Sequence, residues 1–327
     1  MSAFVKTLRC GALGSGLALV ATAASAQAVK VHSDWPQDRL APLAEAAEKA
    51  APGVKIDWTD ADQAEFLWGV PVRLLMAAER EGRLEGYTPA GAPRLRASFH
   101  SASSPMGWTG LTATAPAVCF NTLIGGQSFA MPTPATWETL ASSAFNLAYG
   151  IGPQVQMVDL AEAPTGAGLA TGWAAAMGET AAARFVRALS TNVVEARREA
   201  AAVCRAVAEG FSAVGVGVTP DALALAAQGA NLQIIVPTPV AYEMDGSALG
   251  KGASEAAKKL ADFAVSRDAM ALYAKGALIV SLPGVANTID PVPPASSRDL
   301  ETIDFSAEKA AAADVLRAWK ATGKSAR

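Results

Sequence analysis

The sequence predicts an α/β protein with mainly parallel sheets flanked by helices, and three observations carry that expectation. Short apolar, β-branched runs alternate with Ala- and Leu-rich amphipathic stretches along most of the chain. Gly- and Pro-containing turns separate the two kinds of segment, and no internal repeat replaces the alternation. Hydrophobic residues make up 51% of the 327 positions and charged residues 17%, which supports a sizeable core. A chain of this length lies above the roughly 250–300 residues at which single cores stop growing, so two lobes are expected.

Val29 to His32 reads as the first strand and Gln37 to Ala50 as a helix, with Val54 to Trp58 a second strand behind the Pro52-Gly53 turn. Glu65 to Trp68 and Val72 to Glu81 continue the strand and helix order, and Thr109 to Phe120 reads as one long strand able to cross between lobes. Pro132 and Pro134 precede a short helix, Trp137 to Ser142. Val155 to Leu160 is a strand running into a glycine-rich turn and the helix Leu169 to Met177. Helices over Ala181 to Leu189 and Glu195 to Ala208 and a strand over Ala213 to Val218 complete the pattern. Ligands of such sheets bind beyond the carboxyl ends of the strands.

The N-terminus carries Lys6 and Arg9 ahead of an uncharged run, Cys10 to Ala24, and then Ala24-Ser25-Ala26. This is the pattern of an export signal over residues 1–26, cleaved after Ala26. The run is too short for a permanent span, which needs roughly 20 apolar residues. Cys10 follows Leu8-Arg9, without the small residues a lipidated cysteine needs just ahead of it, so no lipidation is expected. Removing the signal takes away two of the 27 basic residues and none of the 30 acidic ones, leaving a net charge of minus five. An acidic mature chain argues against nucleic-acid and anionic-membrane partners. Cys119 in the apolar run APAVCF and Cys204 in a helical run read as small buried side chains in preference to a disulfide or a metal site.

Pro164-Thr165-Gly166-Ala167-Gly168 follows a strand and opens a helix. Free N–H groups at a helix start, with the positive end of its dipole, can hold an anion, and glycine allows close approach. The same residues also suit an ordinary helix start with Pro at its first position. The spacing G-x-G-x-x-x-G, with no acid near the usual offset, argues against a dinucleotide loop. His32 and His100, the only histidines, sit in no catalytic motif, so no enzyme is expected.

The block VPTPVAYEMDGSALGKGASEAAKKLADFAVSRDAMALYAKGALIVSLPGVA, Val236 to Ala286, resembles the periplasmic solute-binding proteins of ABC importers, in the branch of the 2-aminoethylphosphonate and ferric-iron receptors. Pro134 to Leu140 resembles that family's P-x-T-W-x-D-L segment, Phe66-Leu67-Trp68-Gly69 a strand end facing the pocket, and Gly172-Trp173 with Met177-Gly178-Glu179 the helix behind its anion loop. Ile303-Asp304-Phe305 through Trp319 resembles its closing helix.

The resemblance implies a two-lobed type II periplasmic binding protein with two crossover hinge strands, near Thr112 to Asn121 and Pro237 to Tyr242. Lobe 1 is expected over 27–116 and 240–286 and lobe 2 over 117–239 and 287–327. It further implies strands or turns at Tyr242 to Leu249, Gly250 to Gly252 and Ala277 to Leu282, and helices at Ser254 to Val265 and Arg267 to Tyr273.

In this reading Thr165, Gly166, Ala167 and Gly168 stand in the family's Ser-Gly-Thr-Gly loop, which holds oxyanions. Tyr242 and Glu243 stand in its W-D pair, able to hold an ammonium. Ser33 and Asp34 after the first strand, and Trp68 as an aromatic wall, complete the implied ligand site. The partners implied are a small anionic or zwitterionic solute and an inner-membrane ABC permease, with the receptor a periplasmic monomer that needs no cofactor or metal.

Three departures stand out. Asp60 to Ala64 replaces a family Ser-Thr-Gly loop, and NVVEA at Asn192 to Ala196 replaces a second anion turn. Thr219-Pro220-Asp221 stands where the iron receptors carry adjacent Tyr ligands, which disfavours ferric iron. The missing loops also keep open a diverged receptor that reports its ligand to a sensor without transport.

Overall fold

The computed structural model describes residues 27–128, 133, 136–145, 152–237, 242–275, 279–285 and 312–325. The expected export signal, Ile303-Asp304-Phe305, Pro134-Ala135 and most of the expected second hinge lie outside these residues.

The first lobe is built on strands β1 (Gln27–His32), β2 (Val54–Trp58), β3 (Phe66–Pro71), β4 (Leu84–Glu85), β5 (Thr109–Thr114), β11 (Glu243–Gly250) and β12 (Ile279–Val280). Their order is β12-β5-β11-β3-β1-β2, with β4 paired to β11. The second lobe uses β6 (Pro116–Asn121), β7 (Val155–Val158), β8 (Val193–Arg197), β9 (Val214–Val218) and β10 (Leu232–Ile235), in the order β10-β6-β9-β7-β8.

The long crossing strand expected from Thr109 to Phe120 is present but divided: β5 ends in one sheet and β6 begins in the other, with Ala115 between them. Pro116 suits the junction because it lacks an N–H and enters β6 as its first residue. On the second-lobe side Ala115 is held by Thr219, whose N–H donates to the Ala115 carbonyl at 3.1 Å.

The sheets are mixed, not mainly parallel. β1 pairs in parallel with β2 and β3, and β7 with β8 and β9, but β11 runs antiparallel to β3, β4 and β5. β6 likewise runs antiparallel to β9 and β10, and β12 to β5. The physical reason is connectivity. A strand that returns from the other lobe without a crossover helix enters its sheet in the reverse direction.

Helices α1 (Gln37–Ala50), α8 (Glu255–Ala264) and α9 (Arg267–Tyr273) cover one face of the first sheet, burying Leu40, Leu43, Leu260 and Met270 against Val29, Val31 and Phe66. Ser254 and Ser266 cap α8 and α9 by accepting the N–H of Ala257 and Ala269, the preferred cap chemistry. α2 (Val72–Arg80) covers the opposite face through Val72, Leu75 and Ala78.

In the second lobe, α3 (Trp137–Leu140), α4 (Pro164–Met177) and α5 (Glu179–Ser190) gather three large aromatics, with the Trp173 ring edge-on to Trp137 and Phe185 at 5.2 and 5.1 Å. α10 (Ala313–Lys320) closes that core with Val315 and Trp319. α6 (Ala200–Ala208) and α7 (Thr219–Ala227) complete the lobe.

Two local expectations are corrected here. Glu195 to Arg197 form strand β8, parallel to β7, and the helix begins only at Ala200. The strand wins because the edge of the sheet accepts its backbone while the Glu195–Arg197 ion pair sits partly exposed. Cys119 and Cys204 are joined as a disulfide, with Cα atoms 5.5 Å apart. β6 pairs with β9, and α6 packs on β9, so strand and helix bring the two sulfurs together in a site where both residues are fully buried.

Candidate functional site

Strand β7 ends at Val158, and the chain turns on Asp159 before α4. The Asp159 carboxylate accepts the N–H of Ala161 and of Glu162 and the indole N–H of Trp319, at 2.8, 3.2 and 3.0 Å. This fixes the approach to α4 from its own lobe and from the C-terminal helix.

α4 begins at Pro164, five residues earlier than the sequence suggested, so Thr165 to Gly168 form its first turn and not a loop before it. Pro at the first helical position has the right φ and no N–H to lose. The Gly166 N–H donates to the Ala163 carbonyl at 3.0 Å and is therefore spent inside the turn. A side chain on Gly166 would meet the backbone at Asp159 and Leu160, at 2.7 Å from the Leu160 Cα. Gly166 therefore serves close packing of helix on strand end, which corrects its expected part as an exposed anion donor.

Gly168 faces the other way, toward the first lobe. A first side-chain carbon there would lie 2.5 Å from Glu243 Oε2 and 2.7 Å from Oε1. Glu243 opens β11, so its carboxylate crosses the gap between lobes and lies on the first turn of α4, where a negative charge is favoured by the helix dipole. On its own side, Arg73 Nε of α2 stands 3.6 Å from Glu243 Oε1.

The walls of this cleft are Thr114, Ala115 and Pro116 at the crossing, Thr165, Gly168 and Leu169 of α4, Val158, Gly217 and Val218 at strand ends, and Glu243. They approach so closely that the cavity is about 10 Å³, room for about one water. The Thr165 hydroxyl oxygen is buried and has no hydrogen-bond partner. Ala167, partly exposed on the same turn, does not line the cleft.

The remaining expected residues, Ser33, Asp34, Tyr242 and Trp68, are not brought together. Ser33 is spent locally, its Oγ accepting the Trp35 N–H at 3.1 Å. Asp34 is exposed, 3.3 Å from His32 Nε2. Tyr242 packs, partly buried, against the apolar cluster that runs through the crossing. Trp68 is not a pocket wall. It is fully buried in the first-lobe core, donates its indole N–H to Tyr273 Oη at 2.7 Å and packs edge-on against Phe263. Strand position cannot tell which face of β3 a residue takes when both faces are covered.

Sequence reasoning placed Trp35 beside Ser33 and Asp34 after the first strand but did not single out Arg39, Arg73 and Asp245. Trp35 donates its indole N–H to Asp245 Oδ2 at 2.8 Å, and the Arg39 guanidinium stacks 3.7 Å from the Trp35 ring centroid. Gly69 makes room for that indole, since any side chain there would collide with the Trp35 ring. Burial raises the Asp245 pKa, against the Trp35 hydrogen bond and Arg39, which lower it. Burial lowers the Arg39 pKa, with Asp245 opposing. At the start of α7, burial raises the Asp221 pKa against Arg205, and Asp38 of the first lobe adds to the rise. Both α1 and β11 thus meet the second lobe. A Gly or Asp in a strand that otherwise reads as apolar, as in MDGSALG, was the one available signal for Asp245.

Two α/β lobes, with the chain crossing between them at Ala115 and a narrow cleft beside that crossing, have the fold of a periplasmic binding protein. Residues 70–304 match the family of bacterial extracellular solute-binding proteins, and the chain belongs to that family. Its members bind solutes, and the chain is a binding protein, not an enzyme.

Among solved structures, it is similar to the periplasmic binding protein AfuA from Actinobacillus pleuropneumoniae with fructose-6-phosphate bound, at 20% identity and TM-score 0.71 over 90% of this chain and 98% of that one. The periplasmic binding protein P5PA gives 18% identity and TM-score 0.71 over 90% and 99%. Iron-bound HitA from Pseudomonas aeruginosa gives 13% and 0.69 over 90% and 99%. The search of curated proteins gave no match.

Proposed function

We propose that this protein is the extracytoplasmic receptor of an ABC import system and captures a small anionic or zwitterionic solute of the 2-aminoethylphosphonate type by closure of its two lobes. The observation that carries the reading is the contact of the first-lobe Glu243 carboxylate with Gly168 on the first turn of α4 in the second lobe, at the crossing of the chain. Such a contact is made and broken when lobes hinge about Ala115 and the second crossing, as hinged two-domain receptors do. Opening exposes Thr165, Gly168 and Glu243 to solvent, and closure desolvates a bound solute between them.

In this reading the N-terminal signal directs export, the mature chain begins at Gln27, and the monomeric loaded receptor docks on its permease. The lobes divide near residues 116 and 240. Ferric iron fits poorly: among the described residues no group of three or more His, Cys, Asp and Glu side chains stands ready to hold a metal ion. That fructose-6-phosphate is bound by a protein of the same fold agrees with an oxyanion ligand.

Calorimetric titration of the purified protein with 2-aminoethylphosphonate, phosphate, a sugar phosphate, amino acids, ethanolamine and ferric citrate tests the proposal. Saturable binding of an anionic or zwitterionic member, with a fall in the radius of gyration by X-ray scattering, is the expected result. Binding of ferric citrate alone, or binding without compaction, would contradict it.

A further inference from the structure

Four buried side-chain atoms without a hydrogen-bond partner, Arg39 Nη2, Arg73 Nε, Thr112 Oγ1 and Thr165 Oγ1, belong to the seam beside the cleft. Thr112 is fully buried. An unpaired buried N–H or hydroxyl is costly, and such groups in a native fold call for an explanation.

The register connects them. Thr112 lies opposite Asp245 and Thr114 opposite Glu243 in the β5–β11 pair, so each acid has a threonine beside it along one ladder. Asp245 is tied through Trp35 to Arg39, and Glu243 is reached by Arg73. Thr165 faces the end of this ladder from the other lobe. Arg73 Nε has an ion-pair contact, 3.6 Å from Glu243 Oε1, but no hydrogen bond; with Arg39 Nη2 and the two hydroxyls it makes a donor set that complements an oxyanion better than a metal ion. The acids Asp34, Asp245 and Glu243 offset the guanidinium charge, so a bare polyanion is matched less well than a solute that carries a cation as well.

We propose that Arg39 and Arg73, with the hydroxyl of Thr112, form the first-lobe grip on the oxyanion group of the solute. This rests on the receptor reading above. The grip becomes accessible as the lobes part, and Thr165 completes it from the second lobe on closure.

The test is titration of the wild-type protein and of Arg73→Gln, Arg39→Lys and Thr112→Val with 2-aminoethylphosphonate, inorganic phosphate and ethanolamine, alongside thermal melting of each variant. Arg39→Lys keeps a charge beside Asp245, and Arg73 is partly exposed, so both are expected to fold. Loss of a charge-assisted hydrogen bond should weaken 2-aminoethylphosphonate binding by about tenfold or more in Arg73→Gln and Arg39→Lys. Thr112→Val should weaken it by about fivefold, with Tm little changed in all three.

Unchanged affinity in both arginine variants would overturn the proposal and leave the receptor reading standing. So would wild-type binding of ethanolamine without either oxyanion. Absence of saturable binding to all three probes would overturn the proposal, while the wider panel above decides the receptor reading separately.

Discussion

Breaking the Cys119–Cys204 bond should destabilise the second lobe by an amount that follows from the chain it closes. The sulfurs are 85 residues apart in sequence, and both cysteines are fully buried. Cross-linking a loop of that length removes about 15 cal/mol/K from the unfolded chain in the loop-entropy account, or about 4.5 kcal/mol at 25 °C. For a lobe of this size that corresponds to a fall in Tm of about 10 °C or more.

The assay is differential scanning calorimetry of one preparation refolded under oxidising conditions and one refolded under reducing conditions, with thiol titration confirming each state. Comparing two redox states of the same chain avoids the cavity that Cys→Ala would leave. The expected outcome is a low-temperature shift of one transition, that of the lobe containing β6 and α6, with the other transition within about 2 °C. Coincident scans for the two states would refute the reasoning, because the bond would then contribute nothing to the ordering of β6 against α6.

Four further outcomes follow from particular contacts. Gly166→Ala should destabilise by about 2–3 kcal/mol, since its methyl group must displace the backbone at Asp159 and Leu160. Gly168→Ala should leave Tm nearly unchanged, because the Glu243 carboxylate can move and alanine favours the helix, while solute affinity falls; equal melting shifts for the two variants would contradict the assigned directions. Trp68→Phe should cost about 1–3 kcal/mol by chemical denaturation through loss of the bond to Tyr273 Oη, with affinity for any bound solute preserved. Tyr87 donates to Asp262, and burial together with that carboxylate raises its pKa to about 12. A pKa raised on folding contributes stability that is complete below the unfolded value, about 10, and is lost as pH rises toward 12. The gap in urea stability between wild type and Tyr87→Phe should therefore be constant from pH 7 to about 9 and narrow above about 10; a gap that grows with pH would show the opposite linkage.

Much of the fold was legible because period and punctuation report local geometry. Gln37–Ala50 and Val54–Trp58 were readable from spacing and the Pro52-Gly53 turn alone, and the crossing at Thr109–Phe120 from an apolar run too long for one sheet. Direction was not legible. β11 reads like any other strand, and only the long-range fact that it inserts between β3 and β5 makes it antiparallel. Cys119 and Cys204 looked like small core residues because each is one; their pairing depends on α6 lying over β9 beside β6, which no local pattern encodes. The acids and guanidiniums of the seam escaped for a related reason. Arg39 sits on an amphipathic helix where an arginine reads as solvated, and only the Trp35 indole, tucked over Gly69, turns it toward Asp245.

The first turn of α4 shows the same limit at the scale of two residues. The string PTGAG announced a close approach, and both glycines are there because something lies against them. At 3.6 residues per turn, positions 166 and 168 point about 200° apart, so one looks back at the strand end and the other across the cleft. Sequence alone makes them equivalent, and a mutational scan that chose the wrong one would measure folding and report it as binding. Because the Gly166 N–H is already bonded to Ala163, the second lobe brings less free backbone to a solute than the motif promised. Recognition must then draw more on side chains, which are concentrated on the first-lobe side: Arg73 and Glu243 at the cleft, and Arg39, Thr112 and Asp245 behind them.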